Sequence, residues 1–157
     1  MPGSIVVFHR FRPTAFPPEK MTALSSGWDL KACIEDSNTQ LIIPPGEVMV
    51  INTGLNVSLA PGWELQIRSR SGLAAKRKVH VLNSPGTIDS DYLGNGPDFE
   101  IKVILHNANL LLPFPICHGL RIAQAVLSPV YEATWVEAEE PLVGGGERIG
   151  GLGSTGT

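Results

Sequence analysis

Cysteine is nearly absent from this 157-residue chain: Cys33 and Cys117 stand far apart, with no Cys-x-x-Cys pair and no histidine-rich spacing beside them. A disulfide framework and a zinc site are therefore not expected, and both thiols are expected to be reduced and largely buried. Long apolar runs are missing as well. No segment approaches the ~18 residues of a membrane span, and the N-terminus lacks the basic-then-apolar layout of a secretory signal, so no membrane partner and a cytoplasmic location are expected. Positive charge is scarce, with 12 Lys and Arg against 15 Asp and Glu and a formal net of −3. That balance argues against a nucleic-acid partner. A polyanionic ligand has to be met by local clusters, for which Arg68, Arg70 and Lys76-Arg77-Lys78 are the candidates.

What is present is sheet punctuated by turns. Apolar residues make up 43% of the chain, enough to fill the core of one domain of this length. The 17 Gly and 13 Pro separate short runs rich in Val, Ile and Leu at Ile5–Phe8, Leu41–Ile43, Glu47–Ile51, Leu55–Leu59, Trp63–Ile67, Val79–Leu82, Glu100–Leu105, Leu110–Leu112 and Arg121–Leu127. Runs of that length between such turns predict an all-β sandwich or barrel. Only Ser71–Lys78 reads as helix, one or two turns with a basic end that suits the helix dipole. The expected organisation is a β domain over residues 1–142 followed by a glycine-rich arm, 143–157, with little to bury.

Chemistry concentrates in Asn83-Ser84-Pro85-Gly86-Thr87-Ile88-Asp89-Ser90-Asp91-Tyr92, where two carboxylates, a phenol, an amide and a Pro-Gly turn share ten residues. Strand signals on both sides make it a polar turn between half-buried strands. Turn chemistry and site chemistry use the same residue types, so a solvated hairpin and a site both remain open on this stretch alone. Arg70-Ser71-Gly72 joins a guanidinium, a hydroxyl and backbone amides where the short helix begins, an arrangement suited to an anion. The glycines of the C-terminal stretch are not a P-loop, since no Gly-Lys-Ser/Thr follows and no βαβ context surrounds them.

Four further segments stand in order around the central one: Ser26-Gly27-Trp28-Asp29-Leu30, Arg68-Ser69-Arg70-Ser71-Gly72-Leu73-Ala74, Gly119-Leu120-Arg121-Ile122-Ala123-Gln124 and Gly150-Gly151-Leu152-Gly153-Ser154-Thr155-Gly156. Together the five resemble the five motifs of the trimeric dUTP nucleotidohydrolases (dUTPases), from about residue 5 to the C-terminus. The resemblance implies a jelly-roll-like β-clip homotrimer with composite sites at subunit interfaces. It implies Mg²⁺-assisted hydrolysis of dUTP to dUMP and pyrophosphate, which supplies dUMP for thymidylate synthesis and keeps uracil out of DNA. By the same resemblance Asp89 orders the water that attacks the α-phosphorus and binds the 3′-hydroxyl, and Tyr92 packs under deoxyribose, leaving no space for a 2′-hydroxyl. Asn83, Thr87, Ile88 and Lys102 match the segments that read uracil, largely through backbone groups. Arg70, Ser71, Gly72 and Gln124 match phosphate contacts, and Asp29 matches an aspartate near the magnesium water shell rather than a direct ligand. In the arm, Arg148 matches the arginine on the γ-phosphate, and Leu152, Gly153 and Ser154 fall where the arm covers the nucleotide.

The chain departs from the pattern at four places. Asn95-Gly96-Pro97-Asp98-Phe99 lengthens the family's tight Tyr-x-Gly-Glu-Ile run, either as a hairpin extended outward at its tip or as a re-shaped base pocket. Leu120 replaces an acidic residue before Arg121, Leu152 replaces the stacking aromatic, and the spacing from Arg148 to Leu152 is one residue shorter than the common form. A nucleotide-binding or regulatory module of the same fold, and a bifunctional dCTP deaminase and dUTPase, are the alternative readings.

Overall fold

The computed structural model describes residues 5–140. Its strands are β1 (Val7–Arg10), β2 (Trp28–Lys31), β3 (Leu41–Ile43), β4 (Val48–Asn52), β5 (Leu55–Ser58), β6 (Trp63–Arg68), β7 (Val79–Val81), β8 (Gly86–Ile88), β9 (Lys102–Asn107), β10 (Phe114–Ile116) and β11 (Arg121–Pro129). One α-helix, α1 (Ser71–Arg77), lies between β6 and β7, and a 3-10 turn covers Pro97–Phe99. The expected mostly-β architecture with one short helix is what these residues form. Every strand pairing is antiparallel, in four sheets: β1-β5, β3-β10, β2-β11-β6-β8 and β4-β9-β7. Among the described residues these sheets do not close into a barrel. None of the described helices is long and apolar enough to cross a membrane.

Alternation sets the core. On β9, Val103, Leu105 and Asn107 point inward, and on β6 Leu65 and Ile67 do the same. They meet Leu30, Ile43, Ile51, Leu55, Val79, Val81, Ile101, Ile116 and Ile122 in one apolar cluster. The inward Asn107 is kept from being a cost by its partners: its Nδ2 donates to the carbonyls of Ile43, Pro44 and Leu112 at 3.1, 3.2 and 2.9 Å. The buried Glu100 carboxylate accepts the Gly54 amide at 2.6 Å and lies 3.8 Å from Arg12.

Several expectations shift. The Leu110–Leu112 run is not a strand: Asn109 Oδ1 accepts the amides of Leu111 and Leu112 at 3.0 and 3.1 Å, closing a side-chain turn that leaves all three leucines exposed. The strand comes just after it as β10, where Pro115 is tolerated because β10 pairs on one side only. The first strand starts later than Ile5, and Trp28–Lys31, carrying a buried aspartate, is a strand that apolar alternation did not flag. Cys33 is buried as expected, but Cys117 is exposed, because it follows β10 at the edge rather than inside the core. Helix α1 ends one residue early; Lys78 adopts a left-handed cap (φ 58°) and donates its amide to the Ala74 and Leu73 carbonyls.

The outer face of β4-β9-β7 is unusual. Val50 faces Ile104 and Val48 faces His106 across one ladder, His80 faces His106 across the other, and Leu82 donates its amide to the Ile104 carbonyl at 2.9 Å. Val48, Val50 and Leu82 are exposed. Beside His80, His106 and Lys102 this outer face therefore carries exposed apolar side chains, a pattern suited to cover by another surface.

Candidate active site

The short β2 strand places Asp29 at the centre of one cluster. Its side chain is 10% exposed, and such burial is sustained because two guanidiniums face it. Arg70 donates through Nε to Oδ1 at 3.0 Å, and Arg121 through Nη1 to Oδ2 at 3.3 Å. Arg70 Nη1 also donates to the Arg121 carbonyl at 3.2 Å, which fixes the plane of the guanidinium and leaves Nη2 outside these bonds. Arg121, which lacks an acidic neighbour in sequence, thus finds its partner across the sheet, where β11 pairs with β2. Gln124 sits in register with both Asp29 and Arg68 and donates through Nε2 to the Ser69 carbonyl at 2.9 Å. Gly27 makes room for it: a Cβ there would overlap the Gln124 amide.

Arg70 is the extended N-cap residue of α1, and the first amides to bond back to it are those of Leu73 and Ala74. Ser71 and Gly72 therefore keep their amides outside the helical ladder, and both residues are exposed. A Cβ at Gly72 would meet nothing within 4 Å. Ser69 Oγ accepts the Val81 amide at 2.9 Å, tying this turn to β7.

The Asn83–Tyr92 segment contains a strand as well as a turn. Its middle is β8, an edge strand with Ile88 opposite Leu65, Thr87 opposite Gln66 and Gly86 opposite Ile67. An edge strand offers its outward backbone groups to another molecule. Asn83 and Thr87 are exposed, Ile88 is half-buried, and Asp89 is exposed directly past the strand end. The Tyr92 amide donates to the Asp89 carbonyl at 3.1 Å. The Tyr92 hydroxyl lies 3.0 Å from the Asp98 carbonyl and 3.3 Å from that of Glu100.

Of the inserted residues Asn95, Pro97, Asp98 and Phe99 are exposed, and the segment is tied down at Gly96 and Phe99. The buried Asn56 side chain makes a reciprocal pair with Gly96, donating to its carbonyl and accepting its amide, both at 3.0 Å. The Phe99 ring lies against Tyr92 with centroids 5.7 Å apart and planes at 61°. Asn56 escaped the reading of the sequence, and Gly27 and Phe99 stood there only as members of a motif and of the insertion, because each acts through a partner distant in sequence or through space it leaves empty.

The described residues thus form two groups. Asp29, Arg70, Ser71, Gly72 and Gln124 gather beyond the Arg68 end of β6. Asn83, Thr87, Ile88, Asp89 and Tyr92 run along and past β8, with Asp89 leaving at the Glu64 end. From Glu64 to Arg68 the backbone spans about 13 Å at a strand's rise per residue. Arg70 is also drawn toward β2, at the opposite edge of the sheet from β8. Lys102 belongs to neither group in the strand pairing: it opens β9 in another ladder, opposite Asn52. Arg148, Leu152, Gly153 and Ser154 lie outside the described residues.

A family model described as dUTPase matches residues 15–156. A deoxyuridine 5′-triphosphate nucleotidohydrolase of Chlamydia pneumoniae is 47% identical over 139 residues, covering 88% of this chain and 90% of that protein. A protein of the same name from Helicobacter pylori (strain J99) is 42% identical over 151 residues, covering 96% of each. Among solved structures, a mutant dUTPase of Staphylococcus bacteriophage 80alpha with dUpNHpp matches with a TM-score of 0.79 at 21% identity, over 98% of this chain and 99% of that one. A mutant dUTPase from phage phi11 of S. aureus, described with a coordinated structural Mg(II) ion, matches with a TM-score of 0.73 at 20% identity, over 87% of this chain and 97% of that one.

Proposed function

The chain belongs to the dUTPase family, and from that membership we infer that it is a dUTP diphosphatase, hydrolysing dUTP to dUMP and pyrophosphate. The observation that carries the chemistry is the exposed Asp89 carboxylate at the end of edge strand β8, linked through backbone to Tyr92. In this reading Asp89 holds a water in line and takes its proton as the water oxygen bonds to the α-phosphorus. The bond from that phosphorus to the bridging oxygen breaks, and pyrophosphate leaves. Asn83, the backbone of Thr87 and Ile88, and Lys102 read uracil, and Tyr92 carries the sugar. Arg70 approaches the phosphates through Nη2, with the hydroxyl of Ser71 and the amides of Ser71 and Gly72 beside it, and Gln124 adds a polar contact. Asp29 keeps Arg70 and Arg121 oriented.

Mg²⁺ belongs to the same proposal. Among the described residues no group of three or more His, Cys, Asp or Glu is placed to hold a metal, and both oxygens of Asp29 are engaged by arginines. Such a donor set fits an ion carried by the triphosphate and its own waters, with Asp29 no closer than the water shell. Bound there, the ion would neutralise phosphate charge.

The proposed assembly is a homotrimer with a jelly-roll-like subunit and sites shared between subunits. Two features of the chain support sharing. The Asp89 and Arg70 groups stand toward opposite ends of β6, an arrangement that suits sites drawing them from different copies. The exposed Val48, Val50 and Leu82 at the outer side of β4-β9-β7 supply apolar surface for a copy to cover. The number three rests on the family. Residues 143–157 are proposed to close over the nucleotide, with Arg148 on the γ-phosphate, Leu152 over uracil, and Gly153 and Ser154 alongside. A cytoplasmic location completes the reading.

A pyrophosphatase-coupled phosphate assay over dUTP, dCTP, dTTP and UTP tests the assignment. Turnover is expected on dUTP far above the others; no turnover on dUTP, or equal rates on all four, refutes it.

A further inference from the structure

We propose that Phe99, carried by the inserted Asn95–Phe99 segment, is a specificity-determining positioning residue: it fixes the ring of Tyr92 and so sharpens rejection of ribonucleotides. The proposal rests on the reading of Tyr92 as the sugar platform. Three fastenings carry it. The insert is anchored at Gly96, whose backbone Asn56 engages twice at 3.0 Å, in the manner of one more rung of a ladder. Asn56 is itself buried on β5, between the core residues Leu55 and Val57, so the anchor is held by ordered strand rather than by a surface side chain.

From that anchor the 3-10 turn delivers Phe99 against Tyr92, edge toward face, at a centroid separation of 5.7 Å. Gly94 leaves the space for this: a Cβ there would overlap the Phe99 ring. The third fastening is at the far end of the tyrosine, where its hydroxyl donates to the Asp98 carbonyl at 3.0 Å. Phe99 and the carbonyl before it thus hold the same ring at its side and at its tip. The base of that ring is connected to the catalytic carboxylate's own backbone, through the Tyr92 amide on the Asp89 carbonyl.

An apolar surface alone rejects an added hydroxyl by only about 10²-fold, because the surface or the ligand shifts slightly to admit it. Rejection beyond that needs a wall that does not move. With Phe99 in place, a 2′-hydroxyl meets a ring braced on one side and tied at its hydroxyl.

The test compares kcat/KM on dUTP and on UTP in Phe99→Ala, Phe99→Tyr and Tyr92→Ala, with thermal midpoint and oligomeric state recorded for each. Phe99→Ala is expected to lower the dUTP-to-UTP ratio by about tenfold, mainly by raising UTP turnover, while Phe99→Tyr keeps the ring and stays at the parent ratio. A ratio unchanged in Phe99→Ala but lowered in Tyr92→Ala overturns the role of Phe99 and leaves the sugar platform standing. A ratio unchanged in Tyr92→Ala removes the platform itself. Should Phe99→Ala fail to fold, Gly94→Ala carries the test: it displaces the Phe99 ring without deleting it, and a parent ratio there overturns the proposal.

Discussion

Replacing Asp29 with Ala removes the one carboxylate that two arginines share, and the cost can be worked from their exposure. Breaking a fully buried pair by deleting one partner costs about 3–5 kcal/mol, whereas an exposed pair is worth about 0.2–1 kcal/mol. The side chains of Arg70 and Arg121 are 24% and 39% exposed, so both guanidiniums recover part of their hydration when the acid is gone. Arg121 belongs near the exposed limit and Arg70 between the two, which gives about 2–3 kcal/mol together. For a chain of this size that corresponds to a fall in thermal midpoint of about 4–12 °C, compared at equal subunit concentration because assembly contributes. Asp29→Asn keeps the shape and one acceptor oxygen and is expected to lose about half as much. Kinetics separate positioning from stability. Arg70 freed from its clamp no longer presents Nη2 at a fixed place, so kcat/KM on dUTP is expected to drop by about 10² in the alanine variant, a loss of the order seen when one oriented donor is removed. Differential scanning fluorimetry and steady-state hydrolysis at one protein concentration read both quantities. A midpoint and a kcat/KM at parent values in Asp29→Ala would mean that Arg70 is held by something other than this carboxylate.

Asp89→Asn is expected to lower turnover on dUTP by about 10²–10⁴ while nucleotide binding survives, as calorimetry with a non-hydrolysable analogue would register; turnover at the parent rate removes Asp89 from the role of base. Val50→Asp puts a charge on the outer face of β4 where a lone subunit tolerates it, so sedimentation is expected to shift toward monomer with the β-sheet circular dichroism retained, and an unchanged assembly would place the interface elsewhere. Truncation after Pro141 removes Arg148 and the glycine-rich residues, and activity is expected to collapse with the thermal midpoint barely moved; full activity in the truncated chain would exclude the arm from the site.

The sequence made the sheet content legible because β6, β7 and β9 alternate over a buried face and glycine and proline mark their ends. It was less informative where polar groups are buried in pairs. Asp29 breaks the apolar pattern of β2, and only the approach of Arg70 and Arg121 across three strands explains a carboxylate at that depth. The Leu110–Leu112 run misleads in the opposite sense: three leucines read as a strand, yet the side chains of Asn107 and Asn109 claim the local backbone groups and turn the chain. The candidate site was legible as words, since Arg70-Ser71-Gly72 and Asn83–Tyr92 carry their chemistry in adjacent residues. Its supports were not. Asn56 meets Gly96, and Gln124 meets Ser69, only after strands distant in sequence have paired, and nothing in the local composition of Asn56 or Gln124 announces that meeting.

The placement of Asp89 and Arg70 at opposite ends of β6 has a genetic consequence. With Asp89 as base and Arg70 as phosphate clamp, as proposed, a chain lacking either one still carries the other. If each site draws its base from one subunit and its clamp from another, two alleles that are inactive alone complement each other when co-expressed, because some mixed assemblies bring the sound half of each together. A defect confined to one residue of this fold is then a property of the mixture of subunits in the cell rather than of the individual chain.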